Sequence, residues 1–424
     1  MASHQRSVPR TPGRSRGALL SLAGAVLWAA LGPVPGAAAQ ESKPEERPPA
    51  EMSTLGGDLL GRPGPQMLPR TGAPEPPALP ELSARAWIVA DAETGEVLAA
   101  HHAHWPLAPA STLKMLFADL LLPKFDPDDV YEADPAHFSE MGRGSSAVGI
   151  KDHQTYTVDD LWYGAFLASG NDAVHALTAM NGGREKTVRE MNDRARELQA
   201  YNTLVVNPDG YDGAGQRSSA YDLTLIARSG MQNPDFRRYA ATARYSFPGA
   251  GEGKKRPRFE IQSTNRLLTG ARGLAPYPGL AGIKNGYTSQ AGYTFTGIAE
   301  RDGRKLLVTC MNPDGDGLQV YRETAALFDW GFEAAGSVEP VGELVPSLSE
   351  VAEAEAALGP QPSQGGEAEE TATDRAVVHS RPELPGVPVL TVAAAGMALL
   401  AVVMWVFHRR HPLPGRPPGG APRR

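Results

Sequence analysis

Three short stretches carry side chains whose types and spacing could perform an acyl transfer. In PASTLKML (Pro109–Leu116) a serine is followed three residues later by a lysine, inside an apolar run. On a helix those two positions share a face, so the Lys114 amine can approach the Ser111 hydroxyl. A serine hydroxyl is a poor nucleophile until a base takes its proton. A lysine at its ordinary pKa of about 10.4 is charged and cannot be that base. Burial and a second cation nearby both favour the neutral amine, and Leu113, Met115 and Leu116 supply apolar surroundings. Pro109 precedes, so Ser111 is expected to open the helix, where backbone N–H groups can hold an oxyanion. The bland alternative is a lysine that lays its stem over apolar surface and reaches water. This is the only Ser-x-x-Lys in the chain.

The second stretch is Ser169-Gly170-Asn171, in LASGNDAVHAL. It reads either as a loop with a capping residue between two helices, or as a hydroxyl that relays a proton to a leaving amine beside an amide that binds a substrate amide. The third is Lys284-Asn285-Gly286, in GIKNGYT. Asn-Gly alone is a turn signal with a solvated lysine next to it. The chemical reading is a strand at the edge of a cleft. There Gly286 leaves room for a ligand backbone, Lys284 meets a carboxylate, and the Tyr287 N–H completes an oxyanion hole.

The elements that must position these groups follow from periodicity. AWIVADAETGEVLAA reads as a hairpin. Ser111–Leu122 is helical by its apolar spacing and stops near Pro123. Helical stretches follow on both sides of Ser169–Asn171, in REKTVREMNDRARELQA and in SAYDLTLIARSGM. GLAGIKNGYT then leads into a second hairpin, GYTFTGIAERDGRKLLVTCMN, turning at Asp302-Gly303, and LQVYRETAALFDWGFE closes as a helix. Strands, then helices, then strands predict an α+β sandwich whose antiparallel sheet brings its first and last strands together.

Ser-x-x-Lys, Ser-x-Asn and Lys-x-Gly in this order resemble the signature of the penicillin-interacting serine enzymes. From about Ala84 to Trp330 the chain resembles the D-alanyl-D-alanine carboxypeptidases, the low-molecular-mass penicillin-binding proteins. The likeness runs through DAETGEVL, PASTLK, ASGNDAVHAL, NPDGYD at Asn207–Asp212, and NRLL with YPGLAGIKNGYTSQAGY. It implies a β-lactamase/transpeptidase-like three-layer sandwich, an antiparallel sheet flanked by helices. It also implies that Ser111 is the acylated nucleophile, Lys114 its base, and that Ser169 and Asn171 serve proton transfer and amide binding. Lys284, Asn285, Gly286, Tyr287 and Thr288 would bind substrate, Lys284 holding the terminal carboxylate. The Ser111 and Tyr287 N–H groups would form the oxyanion hole. The implied substrate is a peptidoglycan stem peptide ending in D-Ala-D-Ala, with β-lactams as acylating inhibitors and no metal or other cofactor. Asn285 departs from the usual Thr or Ser of the third motif. A serine β-lactamase and a non-catalytic wall-binding protein of the same fold are the alternatives.

The ends read as addresses. Arg6, Arg10, Arg14 and Arg16 precede the apolar Ala18–Leu31 and a small-residue site, so 1–39 reads as a signal peptide cut after Ala39. Residues 386–407 carry no charge and suit one bilayer crossing. The basic 408–424 then places the C-terminus in the cytoplasm and the catalytic part outside the cell membrane. Residues 40–81, rich in Pro, Glu and Gly, read as a disordered linker, 82–335 as the catalytic domain and 336–385 as an acidic stalk. A net charge of −7 argues against nucleic acid as a partner. Cys310, the single cysteine, reads as a small buried apolar residue. Trp162, Tyr163 and Phe166 read as core. His101, His102 and His104 read as a solvated loop, with no further ligand at a metal spacing. Lys254–Arg258 reads as a solvated basic loop.

Overall fold

The computed structural model describes residues 47–251 and 253–358. The predicted leader, the stretch 386–407 and the basic tail lie outside the described residues. Among those described, no helix is long and apolar enough to cross a membrane.

Among the described residues a 3-10 turn, Asp58–Gly61, comes first, followed by β1 (Pro65–Gln66) and β2 (Leu68–Pro69) and then the expected hairpin of β3 (Ala86–Asp91) and β4 (Glu96–His101). Another 3-10 turn, Ala110–Leu113, runs into α1 (Lys114–Leu121). The small ribbon β5 (Val130–Glu132) and β6 (Thr155–Thr157) leads to α2 (Val158–Leu167), α3 (Asn171–Met180), α4 (Arg184–Glu197), α5 (Ala220–Gly230) and α6 (Pro234–Ala241). A second ribbon, β7 (Arg244–Pro248) and β8 (Arg258–Gln262), carries the basic run in its connection and at the first residue of β8, and α7 (Arg266–Thr269) follows. The sheet is completed by β9 (Leu280–Thr288), β10 (Gly292–Arg301) and β11 (Arg304–Met311), and α8 (Gln319–Ala334) closes over it. β12 (Val338–Glu339), β13 (Gly342–Glu343) and α9 (Leu348–Leu358) end the described chain.

The main sheet is antiparallel, in the order β1-β4-β3-β11-β10-β9, with β13 also on β4. As predicted, its first and last long strands meet: Val89 pairs with Val308. Strand alternation sorts the core into two layers. Ile88, Ala90, Leu307 and Met311 face the larger helical layer with α1, α2 and α5. Val89, Val308, Cys310 and Phe295 face α8. The result is helix, sheet and helix, the three-layer α+β sandwich. Trp162, Tyr163, Phe166 and Cys310 are buried, as the sequence predicts.

Three expectations are corrected. The described part of the Pro-rich 40–81 is bound to the body rather than a free linker. Leu60 sits in the core at 1% exposure, Pro65 and Gln66 pair with β4, and Trp330 Nε1 donates to Pro77 O. Proline is tolerated there because these are short edge pairings that need few N–H donors. The first part of the predicted stalk is also structural: Val338, Val341 and Leu344 are buried and Gly342 pairs with Val97. Nor is the histidine cluster a solvated loop. His104 is buried between Asn202 and the Leu55 carbonyl, and burial first of all lowers its pKa.

Candidate active site

The 3-10 turn places Ser111 one turn before Lys114, and the helix buries the lysine side chain to 4% exposure. Lys114 Nζ lies 2.8 Å from Ser111 Oγ and 2.7 Å from Asn171 Oδ1, and it also donates to the Asp209 carbonyl. Two of these three partners can only accept. A neutral amine would keep donating to Asn171 and Asp209 and would turn its lone pair to the one partner that can also donate, the Ser111 hydroxyl. That is the geometry of a general base. Burial brings the Lys114 pKa down to about 8, against the charges of Asp209 and Asp172, which pull it back up.

Each motif is set by a non-glycine residue in left-handed backbone: Ala110 (φ 51°), Ser169 (φ 54°) and Ile283 (φ 101°). Such residues cost about 1–3 kcal/mol each and persist only where the surroundings impose them. Around Ala110 the imposing contact is Gly210, φ 82°, where a Cβ would stand 2.1 Å from the Ala110 carbonyl oxygen. Ser169 is buried in the turn between α2 and α3 and faces the same cleft as Ser111.

The second motif is braced by groups the sequence reading missed. Asp172, in the first turn of α3, takes the backbone N–H groups of Val148, Gly149 and Ile150 on its carboxylate at 2.9, 2.8 and 3.0 Å. This draws the 145–150 segment over the cleft, where Ser145 Oγ accepts from Asn171 Nδ2 at 3.0 Å. Asn171 is thus engaged at both ends of its amide, with one N–H left for a ligand. No motif announces Ser145, because tertiary folding alone brings it there.

The third motif lies on edge strand β9. Gly286 and Lys284 point the same way by strand alternation, toward the Ser111 turn and α1. A Cβ on Gly286 would be 2.7 Å from Ser111 N. Lys284 differs from its sequence reading. Its amine is enclosed at 1% exposure, donates to the Asn285 carbonyl at 2.9 Å, and does not line the cleft. Burial, aided by the charge of Lys114, holds its pKa well below the ordinary value. Lys284 lies beside Lys114 in the apolar layer under the cleft, with Phe117, Trp162 and Phe166. Asn285 does line the cleft. Its Oδ1 accepts from Thr264 Oγ1 at 3.0 Å, which turns the amide N–H₂ toward a ligand. The departure from the usual hydroxyl residue thus keeps a donor in place.

The cleft holds about 310 Å3 between Ser111, Ser145, Ser169 and Asn171 on one side and Thr264 and Asn285–Ser289 on the other. It includes Tyr287 and Thr288, so every predicted site residue except Lys114 and Lys284 faces it, and those two lie beneath. Arg143 and Tyr211 also line it and were not foreseen. Among the described residues no group of three or more His, Cys, Asp or Glu could hold a metal ion.

A family model described as D-alanyl-D-alanine carboxypeptidase matches residues 71–315. A D-alanyl-D-alanine carboxypeptidase of Mycobacterium tuberculosis, DacB2, is 38% identical over 259 residues, which cover 60% of this chain and 84% of the relative. DacF of Bacillus subtilis, of the same description, is 30% identical over 53% of this chain and 56% of its own length. A crystal structure of a D-alanyl-D-alanine carboxypeptidase from Mycobacterium tuberculosis superposes with a TM-score of 0.57 at 35% identity, covering 67% of this chain and 100% of that one. The Streptomyces K15 DD-transpeptidase, solved as a mutant, gives 0.56 at 25% identity over 60% of this chain and 99% of that one.

Proposed function

The chain belongs to the D-alanyl-D-alanine carboxypeptidase family, and from that premise we propose that it removes the terminal D-Ala from peptidoglycan stem peptides through an acyl-enzyme on Ser111. The observation that carries the reading is the Lys114 amine, buried and 2.8 Å from the Ser111 hydroxyl at the floor of the cleft. Neutral Lys114 takes the Ser111 proton as Oγ attacks the carbonyl carbon of the penultimate D-Ala. The Ser111 and Tyr287 N–H groups receive the developing oxyanion. The C–N bond breaks as Ser169 passes its proton to the departing D-Ala amine and takes one from the Lys114 ammonium, which leaves Lys114 neutral again. Lys114 then draws a proton from the water that attacks the Ser111 ester and returns it to Ser111 Oγ as the shortened peptide leaves.

Asn171 keeps Lys114 in place and offers its remaining N–H to the peptide, while Asn285 donates to the terminal carboxylate. Lys284 lies below the floor beside Lys114 and donates to the Asn285 carbonyl, which holds the strand that carries Asn285 against the cleft. β-Lactams would acylate the same serine. The sequence features at the two ends support an exported enzyme held by residues 386–407, with its cleft on the wall side of the membrane. The test is release of free D-Ala from a peptide ending in D-Ala-D-Ala. The protein should release it, and Ser111→Ala should not. Equal release by both would remove Ser111 from the mechanism.

A further inference from the structure

Beneath Lys114 lies a pair of side chains that the reaction scheme above does not use. The Asp209 carboxylate is 2% exposed, and one of its oxygens is 3.4 Å from His175 Nε2, itself 11% exposed. Its other oxygen accepts the Tyr211 N–H at 2.9 Å. The same residue's carbonyl is one of the three acceptors of Lys114 Nζ. His175 Nδ1 faces the His137 carbonyl at 3.2 Å, so both ring nitrogens face acceptor oxygens. A neutral ring donates to one of them, an imidazolium to both.

We propose that the Asp209–His175 pair is a positioning device for the general base: the Asp209 carbonyl fixes the Lys114 amine, its carboxylate counter-charges that amine, and His175 sets how much of the counter-charge Lys114 feels. The inference rests on Lys114 acting as the base of Ser111. Other titratable groups around Lys114 are held in place. Asp172, on α3, spends its carboxylate on three backbone N–H groups. Lys284, on β9, is enclosed beside it. Around Asp209 the remaining charges are Glu140 and Arg184, which pair with each other at 3.2 Å where a small gap also meets His175. Asp209 is therefore the carboxylate facing Lys114 whose charge a neighbouring ring can modulate. Burial alone would raise the Asp209 carboxyl; the His175 contact, the Lys114 charge and the Tyr211 N–H bring it below its ordinary value. The Asp209 charge in turn acts to raise Lys114.

The test is the pH dependence of penicillin acylation by the full chain. The rate should rise with pH as Lys114 loses its proton. Asp209→Asn keeps the carbonyl and removes the charge, so the rise should move to lower pH by about one unit. His175→Phe removes the donor to the carboxylate, so the rise should move to higher pH. His175→Gln, which can still donate one N–H, should fall between His175→Phe and the unaltered protein. In the Asp209→Asn background His175→Phe should produce no further shift, because the ring acts only through the carboxylate. His175 is partly exposed, unlike Asp209, so its variants answer even if Asp209→Asn folds poorly. Variants that slow acylation equally at every pH, without moving the rise, would overturn the proposal and leave the pair a structural brace. An unaltered protein that is never acylated would instead remove the assignment of Ser111 and Lys114, and this inference with it.

Discussion

Gly286 offers the sharpest perturbation, because its consequence can be worked from distances. It sits in β9 opposite Thr294 and against the turn that carries the nucleophile. A Cβ there would stand 2.7 Å from Ser111 N, 2.7 Å from Thr294 Oγ1 and 2.9 Å from Ala110 Cβ, where ordinary contact begins near 3.4 Å. None of these atoms is the loose end of a long side chain. Thr294 Oγ1 is held by the Pro109 carbonyl at 2.9 Å, and Ala110 is already pinned in left-handed backbone. Gly286→Ala must therefore push β9 and the Ser111 turn apart by about 0.7 Å, the shortfall from ordinary contact. It must also cover the Ser111 N–H. Overpacking of this kind costs about 1–3 kcal/mol, which lowers the melting temperature by several degrees and leaves the sheet folded. A displacement approaching 1 Å at reacting groups costs about 10²-fold in rate, and a lost oxyanion donor costs a similar factor again. The assay is the rate of covalent penicillin capture, followed by intact mass, beside a thermal melt. A folded Gly286→Ala protein acylated at close to the unaltered rate would refute the claim that β9 and the Ser111 N–H together form the oxyanion site.

Three further outcomes follow from other parts of the molecule. Because burial brings Lys114 to about 8, acylation should climb with pH to a plateau above that value; a profile flat from pH 6 to pH 9 would contradict a lysine base. The buried Asp222 carboxyl is pushed up to about 7, chiefly by burial, while in the unfolded chain it titrates near 4. The folded form thus holds the proton more tightly, so the stability this group confers is full below about pH 4 and is lost as pH rises through about 7. Asp222→Asn should gain in melting temperature relative to the unaltered protein between pH 5 and pH 8, and parallel curves would refute this. Leu60→Ala should destabilise by about 2–4 kcal/mol in urea unfolding, although it lies in a Pro-rich stretch; no change would mean that this segment is not packed on the core.

What could be read from the sequence was what has a short period or a tight local signature. The β3–β4 and β10–β11 hairpins, the buried run after Ser111 and the closing helix α8 all announce themselves within about a dozen residues. Their pairing into one sheet followed from antiparallel connectivity. The chemistry of Ser111 and Lys114 was legible because a helix fixes the relation of residues three apart. The packed segment before β3 was not, because Pro and Gly mark both free linkers and extended chain laid on a surface, and one well-placed Leu60 decides between them. Ser145, Asp209 and Thr264 are joined to their partners by contacts across 26, 95 and 21 residues, and no local pattern encodes such meetings. Lys284 was legible as a lysine of the site but not as a buried one, since the direction of a side chain on an edge strand depends on what lies beneath it.

The most direct test of the central claim is to incubate the protein with penicillin, record its intact mass over time and map the modified peptide, with Ser111→Ala alongside. A single long-lived adduct is expected on the peptide containing PASTLK, and none on the variant. An adduct that clears within seconds would indicate a β-lactamase. An adduct on another residue, or none on either protein, would contradict the assignment of Ser111 as the nucleophile.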